Sequence, residues 1–135
     1  MSPKNLKALS VVGDVADDEF CKRLIDETVA AYGKIDILIN NAGFAKRAII
    51  GDANLVDVMD EVYQTNVRAL VNLTNLASEH LIKTKGNIIN ISSVVSTRPG
   101  VGSIPYSMSK ACVDMVTQCS AIELGPKGVR VNSVK

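Results

Sequence analysis

Three residues have the types and spacing for proton-transfer chemistry: Ser93, Tyr106 thirteen residues on, and Lys110 four residues later. Tyr106 and Lys110 bound the run Tyr-Ser-Met-Ser-Lys, and a spacing of four stacks two side chains on one helix face. A phenol ordinarily loses its proton near pH 10, too high to serve as acid or base in neutral water. An ammonium a few ångströms away favours the phenolate and brings the pair toward working range. A serine hydroxyl can hold a carbonyl or alcohol oxygen while the tyrosine gives or takes its proton. Together they could perform the proton half of a hydride transfer. A lone Tyr-x-x-x-Lys is usually surface decoration, so its weight depends on what accompanies it.

The company is specific. Asn-Asn-Ala-Gly stands at Asn40 to Gly43 and closes the apolar run Ile35-Asp36-Ile37-Leu38-Ile39. Asn66 falls inside a helical pattern, and Asn90-Ile91-Ser92-Ser93 ends another strand-like run. In order and spacing these four motifs resemble the short-chain dehydrogenase/reductase family over essentially all 135 residues. The resemblance implies Tyr106 as general acid/base and Lys110 as its electrostatic partner, which also holds the nicotinamide ribose hydroxyls. Ser93 would position the substrate oxygen, since Ser92 has the wrong spacing to Tyr106. Asn66, in Thr-Asn-Val, would be the fourth member, where the helix bends and a backbone carbonyl holds a water linking Lys110 to solvent. As a bare residue it reads better as a polar position on a helix flank, and the other three motifs are what point to a role.

On the cofactor side, Asp14-Val15 resembles the pair that contacts the adenine ring. Asp14 reads as well as a cap for the helix that opens at Asp17. Asn40, Ala42 and Gly43 resemble the turn against which the adenosine ribose lies, and they also read as a tight strand-to-loop turn. The implied cofactor is NAD or NADP, and the implied substrate a small carbonyl compound or alcohol. The residue that separates the two cofactors in the family follows a strand this sequence does not contain. Val94, Val101 and Ile104 suggest an apolar carbonyl compound.

The elements that must position these residues alternate along the chain. Leu9 to Val15 reads as a short buried strand. Asp17 and Asp18 open a helix with apolar face Phe20, Leu24, Ile25, Val29 and Tyr32, stopped by Gly33. Ile35 to Asn40 is a second strand. The loop Ala42 to Asn54 leads to a long helix, Leu55 to Thr84, with Met59, Val62, Val67, Leu70, Leu73 and Leu81 spaced for burial. Asn87 to Ile91 is a third strand, and Ser92 to Pro105 a Ser/Gly/Pro-rich loop. The next helix carries Tyr106, Lys110, Val113, Met115, Val116 and Ile122 and ends at Gly125-Pro126, before a fourth strand, Val129 to Val134. This pattern predicts one α/β domain over residues 1–135: a partial Rossmann-like parallel sheet of about four strands with crossover helices.

Composition removes other classes. Hydrophobic content of 47% with 21% charge is that of a globular chain. A formal net charge of +1 offers no field for nucleic acid. No stretch approaches the roughly 18 apolar residues of a membrane span, and the opening Met-Ser-Pro-Lys-Asn-Leu-Lys lacks a signal-peptide core. Cys21, Cys112 and Cys119 form no C-x-x-C pair and read as reduced thiols in a cytoplasmic setting. One histidine, His80, cannot build a metal site.

The glycine-rich turn with which the family opens, and which cradles the pyrophosphate, is absent from these residues. By the resemblance the chain starts near the family's third strand and stops short of its last, so it reads as a truncated form. If the remaining strands close ranks, right-handed crossovers place all three helices on one face. The bare face of four strands would present roughly 350 Å², worth about 9 kcal/mol if covered. That predicts a partner surface, a rearranged sheet or poor solubility. Two readings follow from different classes. One is an oxidoreductase working through Ser93, Tyr106, Lys110 and Asn66. The other is an inactive remnant associating through its helices at 55–84 and 105–124, which in the family pair into a homo-oligomer.

Overall fold

The computed structural model describes residues 8–135, so the opening run Met1 to Lys7 lies outside the described residues. The Asp17 carboxylate accepts from the Glu19 amide at 3.0 Å and caps α1 (Asp18–Tyr32). Two acidic residues in its first turn suit the positive helix end, and Gly33 terminates it at φ 76°, which a side chain would resist. Then come β1 (Ile37–Asn40), α2 (Leu55–Tyr63), a π-helical turn (Gln64–Arg68), α3 (Ala69–Thr84), β2 (Asn87–Ile91), α4 (Ile104–Leu124) and β3 (Arg130–Val134). The strands form one parallel sheet in the order β1-β2-β3, with Ile37 opposite Asn87 and Asn87 opposite Arg130.

One face of this sheet carries the core. Ile88 and Val131 point into a cluster with Leu73, Ala77 and Leu81 of α3, Leu124 of α4, and Cys21 and Ile25 of α1. Alternate residues point the other way, and there Ile37 is 59% and Ile39 58% exposed, with Val134 exposed beside them. The bare face expected from the sequence is therefore present.

Among the described residues the sheet has three strands and not four, because Leu9 to Val15 forms no strand. That segment lies along α1: the Leu9 amide donates to the Tyr32 hydroxyl at 2.8 Å, and Arg23 donates to the Val12 carbonyl at 3.2 Å. An apolar run extends as a strand only where a neighbour completes its ladder, and β1 pairs with β2 alone. The long helix expected over Leu55 to Thr84 is real in direction but interrupted by the π-helical turn, and the second strand begins two residues later than expected.

Bonds between side chains lock these elements together. Arg68 donates to both carboxylate oxygens of Asp18, at 2.7 and 2.5 Å, and Asn72 adds a third bond, tying α1 to the long helix. The Arg68 guanidinium holds the Asp18 carboxyl below the usual carboxylate range. Inside, Asn40 and Asn90 lie opposite each other in register. The Asn40 amide donates to Asn90 Oδ1 at 2.9 Å and to Thr74 Oγ1 at 3.2 Å; Asn90 donates to Thr117 Oγ1 at 2.9 Å. This polar ladder runs from α3 across the sheet to α4, all of it buried.

Polar groups so placed stabilise only one register, since any slip leaves them unpaired. Asn90→Ala strips Thr117 and Asn40 of buried partners and should cost about 1–3 kcal/mol. Urea unfolding measures this, and an unchanged midpoint would show that the ladder contributes nothing.

Candidate active site

α4 begins at Ile104 with Pro105 in its first turn, a position where a missing amide hydrogen costs nothing. Tyr106 therefore lies in the first turn and Lys110 in the next. Lys110 is 4% exposed, and its ammonium donates to the Ile91 carbonyl at 2.6 Å. Its nitrogen lies 5.6 Å from the centre of the half-buried Tyr106 ring. Burial pushes the Lys110 ammonium below the ordinary lysine range, and the charge of Asp114 opposes that shift in part. Ile91 ends β2, so the lysine ties the helix to the strand end from which the Ser93 turn departs.

Asn66 occupies the centre of the π-helical turn and is 2% exposed. Widening a helix by one residue turns a side chain inward that a regular helix would aim elsewhere. Its amide nitrogen donates to the Phe44 carbonyl at 2.9 Å and to Ser109 Oγ at 3.0 Å, and its oxygen accepts from the Phe44 amide at 3.0 Å. Ser109 in turn donates to the Tyr106 carbonyl at 2.8 Å. Gly43 lies over this group: a Cβ there would stand 3.0 Å from Asn66 Oδ1 and 3.7 Å from Lys110 Nζ. Hence Gly43, Asn66, Tyr106 and Lys110 gather at one end of the sheet.

Ser93 is half-buried and extended, two residues past Ile91, and its Oγ accepts from the Val95 amide at 3.4 Å. The loop that follows exposes Val94 and Val101. Val15, Asn40 and Ala42 line a separate cleft of about 150 Å³ with Leu38, Thr65 and Leu70. A single ring fills such a volume, and a whole dinucleotide does not. Asp14, exposed, accepts from the Ala16 amide at 2.9 Å, so it forms a local turn while Asp17 caps the helix. The Asn40 side chain is committed to the core ladder.

Two members of the arrangement carry no sequence signal of their own. Ser109 lies inside the Tyr-to-Lys run, and only its burial shows that it links Asn66 to the helix backbone. Asp114 lies one turn past Lys110 on the same helix, its side chain 17% exposed and paired with Lys135. Among the described residues no group of three or more His, Cys, Asp or Glu side chains gathers, and no helix is long and apolar enough to cross a membrane.

A family model described as short chain dehydrogenase matches residues 2–135. The chain belongs to that family. It is 37% identical over 134 residues to a dehydrogenase of Cochliobolus heterostrophus, covering 98% of this chain and 57% of that protein. It is 35% identical over 122 residues to the 3-oxoacyl-(acyl-carrier-protein) reductase of Thermotoga maritima, covering 90% and 49%. Among solved structures, a short-chain dehydrogenase/reductase of Caenorhabditis elegans with cofactor superposes at a TM-score of 0.87 and 35% identity, covering 93% of this chain and 48% of that one. The chain thus spans about half the length of the relatives it matches.

The lowered affinity of Lys110 for its proton has a signed consequence. Between its folded value and the ordinary lysine value, the unfolded chain binds more protons, so stability rises with pH across that window. Below the window the cost is fully present. Lys110→Met removes the cost: its stability should match or exceed the parent's at neutral pH, with the gap closing as the solution turns alkaline. Urea midpoints across that range check this, and parallel profiles would contradict it.

Proposed function

We propose that these residues carry the proton-handling part of an NAD(P)-dependent oxidoreductase that interconverts an alcohol and a ketone. The observation that carries the reading is the Lys110 ammonium, buried and anchored to Ile91 at 2.6 Å beside the Tyr106 ring. An ammonium has three donors, and Ile91 is the one acceptor it meets among the described residues. The remaining donors suit a pair of ribose hydroxyls, so the residues fit a nicotinamide nucleotide on this side. Such a group, when bound, supplies or accepts the hydride.

The chain's own residues do the rest. Ser93 holds the substrate oxygen and Tyr106 gives it a proton as the carbonyl is reduced, or takes one when an alcohol is oxidised. Lys110 keeps a positive charge against the tyrosine. Asn66 fixes Phe44 and Ser109, and with them the wall that Gly43 makes over Lys110. The exposed Val94 next to Ser93, and the exposed Val101 of the same loop, favour an apolar ketone. Tyr106→Phe removes the proton and should lower kcat for cyclohexanone reduction by NADPH or NADH roughly 10²–10⁴-fold. An unaffected rate would refute the role of Tyr106.

A second reading draws support from the adenosine side. The 150 Å³ cleft is small, and no glycine-rich turn occurs in these residues. Pyrophosphate bonds worth about 1.5–3 kcal/mol each are then missing. Dinucleotide binding by these residues alone should be weaker than micromolar, which a fluorescence titration with NADH and NADPH tests; micromolar binding would sink the expectation.

A cytoplasmic homo-oligomer fits either reading. Grooves of about 530 and 330 Å³ adjoin at Tyr63 on the outer surface of α2, α3 and α4, with Val71, Met59 and Met108 on their walls. Tyr63, Val71 and Met108 are all exposed there, and we assign this surface to a second copy of the chain. Met108→Glu should shift sedimentation to the monomer, and an unaltered profile would place the contact elsewhere.

A further inference from the structure

The loop after β1 and the loop that leads from Ser93 into α4 are clasped together. Arg47 Nη2 donates to the Val101 carbonyl at 2.9 Å, and the next amide, that of Ala48, donates to the Gly102 carbonyl at 3.2 Å. Ala48 and Ser103 form an isolated parallel bridge. The guanidinium also lies against the Gly102 backbone. A Cβ on Gly102 would stand 3.2 Å from Arg47 Nε and 3.6 Å from Ile49 Cγ2, and Gly102 has φ 74°. Conformation and close approach both call for glycine there.

Each half of the clasp is anchored to the site. In the first loop Asn66 holds Phe44 through two hydrogen bonds, and Ala48 is buried against Val58 and Val62 of α2. In the second, the Ser107 amide donates to the Ser103 carbonyl at 2.7 Å and the Ser107 hydroxyl to Ser103 Oγ at 2.9 Å. Ser107 directly follows Tyr106. Between these anchors the Val101 carbonyl is held, yet the Val101 side chain is 84% exposed. Fixing a backbone while leaving its apolar side chain bare lowers the ordering cost of a later contact.

We propose that Arg47 is a positioning residue: it holds the loop between Ser93 and Tyr106 in place, presetting Val101 as a contact for an apolar ketone. The proposal rests on the reading of Ser93 and Tyr106 given above. Arg47 itself bonds to backbone, so its effect falls on substrate binding and not on the proton step.

Arg47→Met keeps most of the stem and deletes the donors. In the full chain without cofactor, the amides of Ala48 and Gly100 should then exchange about tenfold faster. Those of Phe44 and β2 should be unchanged. Arg47→Lys, which still offers a donor to the Val101 carbonyl, should restore most of the protection. In cyclohexanone reduction by NADPH or NADH, Arg47→Met should raise KM about fivefold and leave kcat within about twofold. Gly102→Ala, which crowds the guanidinium from the other side, should shift KM the same way. Unmoved exchange in Arg47→Met, acceleration shared equally by Phe44 and β2, or no recovery in Arg47→Lys would overturn the proposal. So would a fall in kcat at constant KM, or an unmoved KM in an active chain. Local acceleration reversed by lysine, in a chain that reduces no ketone, would uphold Arg47 as the residue that holds the loop and sink the catalytic reading. Unmoved exchange in an active chain would do the reverse.

Discussion

A charged amine held inside a protein is costly, and the structure is organised around one. Lys110 brings its ammonium to the end of the sheet, where the Ile91 carbonyl accepts a hydrogen bond from it and the Tyr106 ring lies alongside. Water would solvate that charge better, which is why burial weakens its hold on the proton. The surroundings offset the cost in part through the anion at Asp114.

Holding a buried cation at a fixed place requires a scaffold that does not slip. The ladder through Thr74, Asn40, Asn90 and Thr117 joins α3, the sheet and α4 by polar bonds that tolerate one register. Asn66 does similar work at the other wall, with the π-helical turn aiming its amide at Phe44 and Ser109. Stability elsewhere is less complete. The sheet face bearing Ile37 and Ile39 is open among the described residues, whereas the opposite face packs the core.

Much of this was legible from residue order. The helices α1, α3 and α4 follow apolar spacing, an Asp17 cap and a glycine stop, each a local cause with a local effect. The pairing of Tyr106 with Lys110 follows from a spacing of four. Leu9 to Val15 failed as a strand because apolar content signals burial or extension but cannot supply the neighbouring backbone that a ladder needs. The depth of Lys110, the link through Ser109 and the placement of Asp114 were beyond reach for a related reason. Each is decided by residues nineteen or more positions away: Ile91 for the lysine by way of β2, Asn66 for the serine, Lys135 for the aspartate. Asn40 shows the converse, a residue whose motif suggested a turn and whose side chain became part of the core.

The central physical claim is that the Lys110 ammonium is buried and bonded to the carbonyl of Ile91. Hydrogen-bond scalar coupling between the Lys110 side-chain nitrogen and the Ile91 carbonyl carbon, measured by NMR on the labelled chain, tests it most directly. The account predicts a resolved coupling and ammonium protons that exchange slowly with water. A Lys110 ammonium that exchanges as fast as a surface lysine and shows no coupling to Ile91 would contradict it.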